Sequence, residues 1–124
     1  MDDRHTNTRG CGRWAEDLAS RYLCNRGLRE LGRNYLCPAG EIDIVMEDRG
    51  CLVFVEVRYR KSDDYTHPAE TVGRIKQRRL IRTASHYLQS HRGAARRVCR
   101  FDVVIVEGRA PDPKVEWISD AFRA

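Results

Sequence analysis

Residues 40–60, GEIDIVMEDRGCLVFVEVRYR, contain two apolar segments that alternate with polar side chains on either side of a short polar turn. Alternation with a period of two predicts two β-strands, and the four-residue turn at 47–50 predicts that they pair as an antiparallel hairpin. We expect Ile42, Ile44 and Met46 to share one face of this hairpin with the alternate valines of the second strand.

Two carboxylates fall on the opposite face of the hairpin. If the isoleucines join the valine face, Asp43 and Glu56 share the other face, with their β-carbons roughly 5–8 Å apart. An unpaired carboxylate is costly in so apolar a run. Two that converge there, with Glu41 beside them, suit a hard divalent cation. A salt-bridged ladder with Arg58 on a solvated sheet face is the alternative, and the hairpin alone leaves both interpretations open.

The length and composition indicate one domain with a basic character. A chain of 124 residues can bury a single sizeable core. We expect residues 1–9 to form a flexible N-terminal tail and residues 10–124 to form one domain. The chain has 23 Lys and Arg against 18 Asp and Glu, a formal net charge of +5. This balance suits a polyanionic partner such as nucleic acid.

Several classes of protein are not supported by the sequence. The five cysteines are scattered without a CxxC pair or a Cys/His cluster, so we do not expect a zinc site. The N-terminus lacks the apolar segment of a signal peptide, and no apolar run approaches the roughly 20 residues of a membrane span. We therefore expect a cytoplasmic protein without a membrane partner.

The first predicted helix covers residues 12–26 and ends at Gly27, a typical residue for the position after a helix. Its apolar stripe includes Trp14 and Leu18. Glu16 lies at the margin of that stripe, from which its carboxylate can reach either a neighbouring sheet or water.

The second predicted helix covers residues 69–91, and we expect Val72 and Ile75 to be buried in it. Basic residues recur about every four positions along this helix, which predicts a positively charged ridge. Such a ridge would lie along a phosphate backbone, or else it would be a solvated basic face. The nucleic-acid-binding candidates on this ridge are Arg74, Lys76, Arg78, Arg79 and Arg82.

Three further strands are predicted outside the hairpin, over residues 28–36, 101–107 and 114–119. The last apolar pair, residues 121–122, is expected to pack as a short helical lid. The element order is then α-β-β-β-α-β-β, which predicts an α/β fold with a central mixed sheet flanked by helices.

Four motifs together resemble a known family. They are GEIDIV, LVFVEVRYR, KQRRL and RFDVVIV, and the chain resembles the YraN-like family of uncharacterised bacterial proteins over nearly its whole length. That family is identified as a member of the restriction-endonuclease-like superfamily, whose signature is an aspartate followed by Glu-x-Lys. It is most similar to archaeal Holliday-junction resolvases, which add a glutamate from the first helix. The resemblance implies a restriction-endonuclease-like fold.

The resemblance also implies roles for individual residues. Asp43 matches the aspartate and Glu56 the glutamate of the signature, which would hold Mg²⁺ or Mn²⁺. Glu16 matches the first-helix glutamate and would steer a water or the metal. Arg58 stands at the lysine position of the signature, which makes it the fourth catalytic candidate.

Arg58 is the main departure from the family pattern. A guanidinium group can stabilise developing negative charge, but it stays protonated and cannot act as a base. Lys61 or Lys76 is a candidate to replace the missing lysine. From Arg58 we expect slow nicking that depends on Mg²⁺ or Mn²⁺ and becomes faster in Arg58→Lys.

The sequence supports two functions on this fold. The first is a metal-dependent endonuclease that hydrolyses DNA phosphodiester bonds, with branched or damaged DNA as candidate substrates. The second is a catalytically weak or silent nucleic-acid-binding module. A third function, a protein-interaction subunit without nucleic-acid contacts, has less support. The oligomeric state stays open, a homodimer included.

Overall fold

The computed structural model describes residues 3–60, 72–91, 93, 97–109 and 111–124, with side chains from residue 12 onward. The elements are α1 (Asp3–Cys24), β1 (Arg29–Cys37), β2 (Gly40–Asp48), β3 (Cys51–Arg60), α2 (Arg74–Ser90), β4 (Cys99–Glu107) and β5 (Lys114–Phe122). The predicted order and the α/β class are confirmed, and the arrangement agrees with a restriction-endonuclease-like fold. Neither described helix is long and apolar enough to cross a membrane.

The five strands that the structure describes belong to one mixed sheet, in the spatial order β1-β2-β3-β4-β5. Every neighbouring pair is antiparallel except β3 and β4, which run parallel. Parallel neighbours need a crossover connection, and α2 lies between these two strands in the chain. The interior of the sheet is formed by β2, β3 and β4, and both faces of these strands are available for packing.

The two helices cover opposite faces of the sheet. Val53 and Val55 lie in a cluster with residues of α1, whereas Leu52 and Phe54 lie in a cluster with residues of α2. This is the alternation expected of a strand buried on both faces. The helix residues buried in the two clusters are Ala15, Ala19 and Leu23 from α1, and Leu80 and Ala84 from α2.

Helix α1 begins at Asp3, within the stretch predicted to be a tail, and not at residue 12 as predicted. Polar residues can extend a helix through backbone hydrogen bonds without presenting an apolar stripe, so periodicity does not detect the extension. The C-terminal end agrees better with the prediction, since the helix stops at Cys24 and Gly27 follows with φ of +98°.

The turn between β2 and β3 has two residues instead of the predicted four. Arg49 and Gly50 have φ of +52° and +85°, and Asp48 and Cys51 on either side of them are paired in the ladder. Two-residue turns with positive φ match the twist of an antiparallel hairpin. Glu47 stays in the strand as well, where it forms ion pairs with arginines of neighbouring segments.

Helix α2 begins at Arg74, and the predicted helical residues 69–71 lie outside the described part of the chain. Val72 is buried as expected, but the prediction for Ile75 is wrong because its side chain is 69% exposed. Ile75 precedes the buried Ala84 by nine residues, which is two and a half helical turns and places it on the opposite side of the helix.

The C-terminal residues form a strand, so the predicted helical lid is wrong. Ala121 and Phe122 belong to β5, and Phe122 pairs with Phe101 of β4. The ladder shifts register between Phe101 and Val103, and Asp120 takes a φ of +54°. This bulge lets β5 continue to Phe122, whose ring stacks on Phe101 with centroids 4.8 Å apart.

Candidate functional site

The ladder between β2 and β3 stops at Ile44 and Val55, one residue before Asp43 and Glu56 would meet. Beyond that point the backbone N–H of Val57 donates a 2.8 Å hydrogen bond to Oδ2 of Asp43. The carboxylate thus satisfies a backbone donor that would otherwise need another partner. The result is a separation of two central strands with Asp43 held at its apex.

The alternation of side chains is interrupted at the same place. Ile42 packs on the α2 side of the sheet and Ile44 on the α1 side, so the prediction of one shared face is wrong. In the β1–β2 ladder, Asn34 lies opposite Asp43 and has φ of +52°, a conformation that asparagine tolerates better than most residues. One residue in each strand leaves the regular pleat, and the residues beyond it change sides.

A cleft of about 570 Å³ opens where β2 and β3 separate. Its walls come from α1, β1, β2, β3 and α2, so it depends on elements from most of the chain. Among the described residues, four carboxylates and two basic groups line it. These charged residues are Arg13, Glu16, Glu41, Asp43, Glu56 and Lys76.

Without a bound cation, the surroundings of Asp43 disfavour its ionised form. Burial, followed by the charge of Glu56, raises the pKa of the Asp43 carboxyl from its ordinary value to about 8. The hydrogen bond from Val57 opposes this rise, while the charges of Glu16 and Glu41 add to it. A cation at this position would relieve both the repulsion and the burial cost.

Asn34 connects the other two carboxylates of the cleft. Its Nδ2 donates to both oxygens of Glu16 at 3.3 Å and to Oε2 of Glu41 at 3.0 Å. Burial raises the pKa of Glu16, the hydrogen bond from Asn34 lowers it, and Glu41 raises it further. The amide therefore holds two like charges close together at the wall formed by α1 and β1.

Glu56 is 5% exposed and is the most deeply buried carboxylate of the cleft. Its Oε2 lies 3.4 Å from Nζ of Lys76 and 3.5 Å from Nη1 of Arg58. Two cations therefore approach one carboxylate oxygen from different elements. Lys76 lines the cleft, whereas Arg58 lies beside Glu56 and is not one of the described lining residues.

The structure places the candidates from the sequence as follows. Glu16, Asp43 and Glu56 open into one cleft, and Arg58 lies at its edge. On α2, the four arginines of the ridge are exposed, whereas Lys76 is partly buried and turned toward Glu56. Lys61 lies outside the described residues.

Asn34 is a site residue that the sequence reasoning missed. It lies inside a strand, and its contacts with Glu16 and Glu41 come from elements before and after it in the chain. An asparagine within a β-strand pattern is a signal for a left-handed residue, but nothing in the local sequence indicates which side chains it would join.

The carboxylates do not form a ready cage for a metal ion. Among the residues that the structure describes, no group of three or more His, Cys, Asp or Glu side chains is arranged to hold one. Asp43 and Glu56 nevertheless supply neighbouring carboxylates, the oxygen donors that Mg²⁺ prefers. Mg²⁺ is often bound by one or two carboxylates together with substrate phosphate, and this donor set fits that mode.

Comparison with known proteins gives one family. Residues 15–106 match the profile of the uncharacterised protein family UPF0102. UPF0102 proteins from Coxiella burnetii and Nitrosococcus oceani are each 48% identical, over 108 residues (87% of this chain, 88% of the relative) and 112 residues (90% of each). One from Pseudomonas paraeruginosa is 43% identical over 127 residues and covers 100% of both chains. The matched profile includes every carboxylate of the cleft.

Proposed function

The chain belongs to the uncharacterised protein family UPF0102, which is the YraN-like family, and we propose that it is a metal-dependent endonuclease that hydrolyses DNA phosphodiester bonds. The observation that carries the proposal is the partly buried Asp43 beside the buried Glu56, where β2 and β3 separate, in a cleft large enough for a phosphodiester group. The resemblance to junction resolvases makes branched DNA a candidate substrate.

Two neighbouring carboxylates, one buried and one partly buried, destabilise a fold unless something compensates for their charge. In this cleft Lys76 and Arg58 compensate Glu56, but burial and like charges keep the pKa of Asp43 high. Perturbed carboxyl groups in a cleft mark candidate functional sites. An arrangement that is unfavourable in the free protein and favourable with a cation supports a metal-dependent activity.

Asp43 and Glu56 would hold the divalent cation, which when bound would act as a Lewis acid toward the scissile phosphate. Around it, the basic groups of the cleft bind and orient the phosphodiester. Glu16, which accepts hydrogen bonds from Asn34, would accept a hydrogen bond from the attacking water. The exposed arginines of α2 would contact backbone phosphates on either side of the cut.

The test is cleavage of duplex, single-stranded and four-way-junction DNA by purified wild type with Mg²⁺ or Mn²⁺. We expect at least one substrate to be nicked, and we expect Asp43→Asn to lower the rate by about 100-fold or more because it removes a charged ligand. Asp112→Asn is the matched control, since Asp112 is an exposed carboxylate outside the cleft.

The controls separate the remaining functions. Cleavage that persists in Asp43→Asn would come from another site or from a contaminant. A wild type that binds these DNAs but cuts none would be a nucleic-acid-binding module, the second function that the sequence supports. A wild type that neither binds nor cuts them would exclude both.

A further inference from the structure

Glu56 is the meeting point of two basic side chains that differ in how they reach the cleft. Arg58 follows Glu56 by two residues on β3, so it leaves the same face of the same strand. Lys76 comes from α2, which follows residues 61–71 in the chain. Its Nζ lies 3.4 Å from the same carboxylate oxygen. Of the two, Lys76 lines the cleft that contains Asp43.

The start of α2 holds Lys76 in place. Val72 is 5% exposed and packs in the core immediately before the helix. The side chain of Gln77 donates a 2.9 Å hydrogen bond to the carbonyl of Val72. The backbone N–H of Gln77 donates another, also of 2.9 Å, to the carbonyl of Gly73. Lys76 therefore sits in a first turn that is fastened to the core, at the end of the helix whose dipole favours anions.

The neighbours of Lys76 on α2 are directed elsewhere. Arg74, Arg78, Arg79 and Arg82 are exposed, whereas Lys76 keeps 43% of its side-chain exposure and forms an ion pair with a buried partner. The basic residues of α2 thus divide into four that face solvent and one that enters the cleft. This division separates Lys76 from the ridge with which the sequence grouped it.

We propose that Lys76, and not Arg58, is the catalytic cation of this site, an inference that rests on the proposed nuclease function. Its ammonium group donates hydrogen bonds to a non-bridging oxygen of the scissile phosphate. An ammonium is compact and has three donors on a flexible stem, whereas the guanidinium of Arg58 is planar and larger. The lysine that Arg58 replaces on β3 is therefore supplied by the helix.

The reaction balances without any change in the protonation of Lys76. The oxygen of a water molecule bonds to phosphorus, and the bond from phosphorus to the leaving oxygen breaks. The proton released by the water goes to solvent, and the leaving oxygen takes one up. Lys76 stabilises the negative charge that builds on the phosphate oxygens and remains an ammonium throughout.

The experiment compares single-turnover cleavage by wild type, Lys76→Met and Arg58→Lys on the best DNA substrate. We expect Lys76→Met to lower the rate by about 100-fold. Arg58→Lys is compared because it should speed cleavage strongly only if position 58, and not Lys76, supplies the catalytic cation. Lys114→Met is the matched control, because Lys114 is an exposed lysine on β5. A double variant, Lys76→Met with Arg58→Lys, should recover part of the rate, since position 58 reaches the same oxygen of Glu56.

Two further measurements exclude a merely structural role. The thermal midpoint of Lys76→Met should fall by less than about 5 °C, because Arg58 still lies 3.5 Å from the buried carboxylate of Glu56 and compensates its charge. Binding of the same DNA without divalent ions should weaken by less than about fivefold, one phosphate contact among several. These readouts do not depend on cleavage.

The outcomes distinguish this inference from the proposed function. Wild-type cleavage with an equally active Lys76→Met would overturn the role of Lys76 and leave the nuclease intact. An Arg58→Lys variant that cuts tenfold faster than wild type would return the role to position 58. A wild type that cuts nothing would overturn both proposals.

Discussion

The carboxyl group of Asp43 accepts one 2.8 Å hydrogen bond from the amide of Val57 and shares its cleft with three other carboxylates. Burial and the charge of Glu56 raise its pKa to about 8, whereas an aspartate in an unfolded chain has a pKa of about 3.9. Between about pH 4 and pH 8 the folded protein therefore keeps a proton on Asp43 that the unfolded chain has released. Linkage makes this residue a source of pH-dependent stability.

In metal-free protein, stability from Asp43 should be complete below pH ~4 and lost as the pH rises toward about 8. We therefore expect Asp43→Asn to be more stable than wild type at pH 8, by on the order of a few kcal/mol. The difference should shrink toward pH 5. Urea unfolding in EDTA across this range measures it.

The effect of Mg²⁺ on stability provides a second measurement on wild type and Asp43→Asn. At pH 8 the ion should raise the free energy of unfolding of wild type and leave Asp43→Asn nearly unchanged, because binding to the folded state stabilises it. Asp112→Asn should follow wild type in both experiments. A difference in the free energy of unfolding between wild type and Asp43→Asn that stays constant from pH 5 to pH 8 would contradict the raised pKa of Asp43.

Asp102 is a buried carboxylate with the opposite surroundings. It is fully buried and accepts 2.9 Å hydrogen bonds from Nε1 of Trp117 and from the amide of Asp120. Nε of Arg100 lies 3.0 Å from it, and Nη2 of Arg100 also contacts Asp48 at 3.0 Å. Asp102 thus joins β4 to the bulge of β5, and its partners indicate a structural role.

Asp102→Ala should lower the free energy of unfolding by about 3–5 kcal/mol, because it removes a fully buried carboxylate that pairs with Arg100 and accepts hydrogen bonds from Trp117 and Asp120. Denaturant unfolding at neutral pH measures the loss. Asp112→Ala, at an exposed position, should change stability by no more than about 0.5 kcal/mol. A loss below about 1 kcal/mol in Asp102→Ala would show that this network is not required.

At the scale of elements, α2 combines packing and recognition. One side buries Leu80, Thr83 and Ala84, and the other carries the exposed arginines. Its middle also passes close to the β1–β2 turn. A β-carbon on Gly40, which has φ of +150°, would meet Oγ1 of Thr83 at 3.1 Å. The close contact explains why a glycine begins β2 and fixes where the helix crosses the sheet.

Reversing the charges of Arg74, Arg78 and Arg82 to glutamate should weaken DNA binding on every sequence and lower the salt slope by about 3. The fold should survive because all three side chains are exposed. Fluorescence anisotropy at several salt concentrations measures both quantities. The matched control reverses Arg21, Arg109 and Lys114, which are exposed outside α2. Equal effects in the two triple variants would show that the arginines of α2 contribute to DNA binding only through the net charge of the protein.

At the scale of the whole molecule, the sheet has a protected centre and more exposed edges. Strands β3 and β4 each contain a continuous buried run, whereas β1 and β5 alternate between exposed and partly buried residues. The candidate site lies where the protected centre opens, between β2 and β3. A rigid scaffold therefore holds Asp43 and Glu56 while α1 and α2 supply the remaining charged groups.

Hydrogen exchange should follow this gradient. Amides of β3 and β4 should exchange only through global unfolding, whereas amides of β1 and β5 should exchange through smaller openings and lose protection earlier. Exchange measured by NMR or mass spectrometry at neutral pH tests this order, and thermal unfolding supplies the global reference. Equal protection in β1 and β3 would show that the sheet opens as one unit.

The sequence by itself determined the element order, the pairing of the central hairpin and the presence of two carboxylates within it, Asp43 and Glu56. These depend on local periodicity, because a strand buried on one or both faces must alternate or run apolar through its own residues. The buried side of α1 and the exposed arginines of α2 follow from the same rule. The missing lysine at Arg58 was also visible, as was Lys76 as a possible replacement.

Only the tertiary structure decided which groups meet at the site. The reversal of sides at Asn34 and Asp43, the burial of Asp102 and the exposure of Ile75 depend on neighbours that are distant in the chain. Lys76 enters the cleft because α2 is anchored at Val72 and crosses the sheet at Gly40. Periodicity reports the face on which a side chain lies, whereas a site requires faces from separate elements to converge, and packing alone sets that convergence.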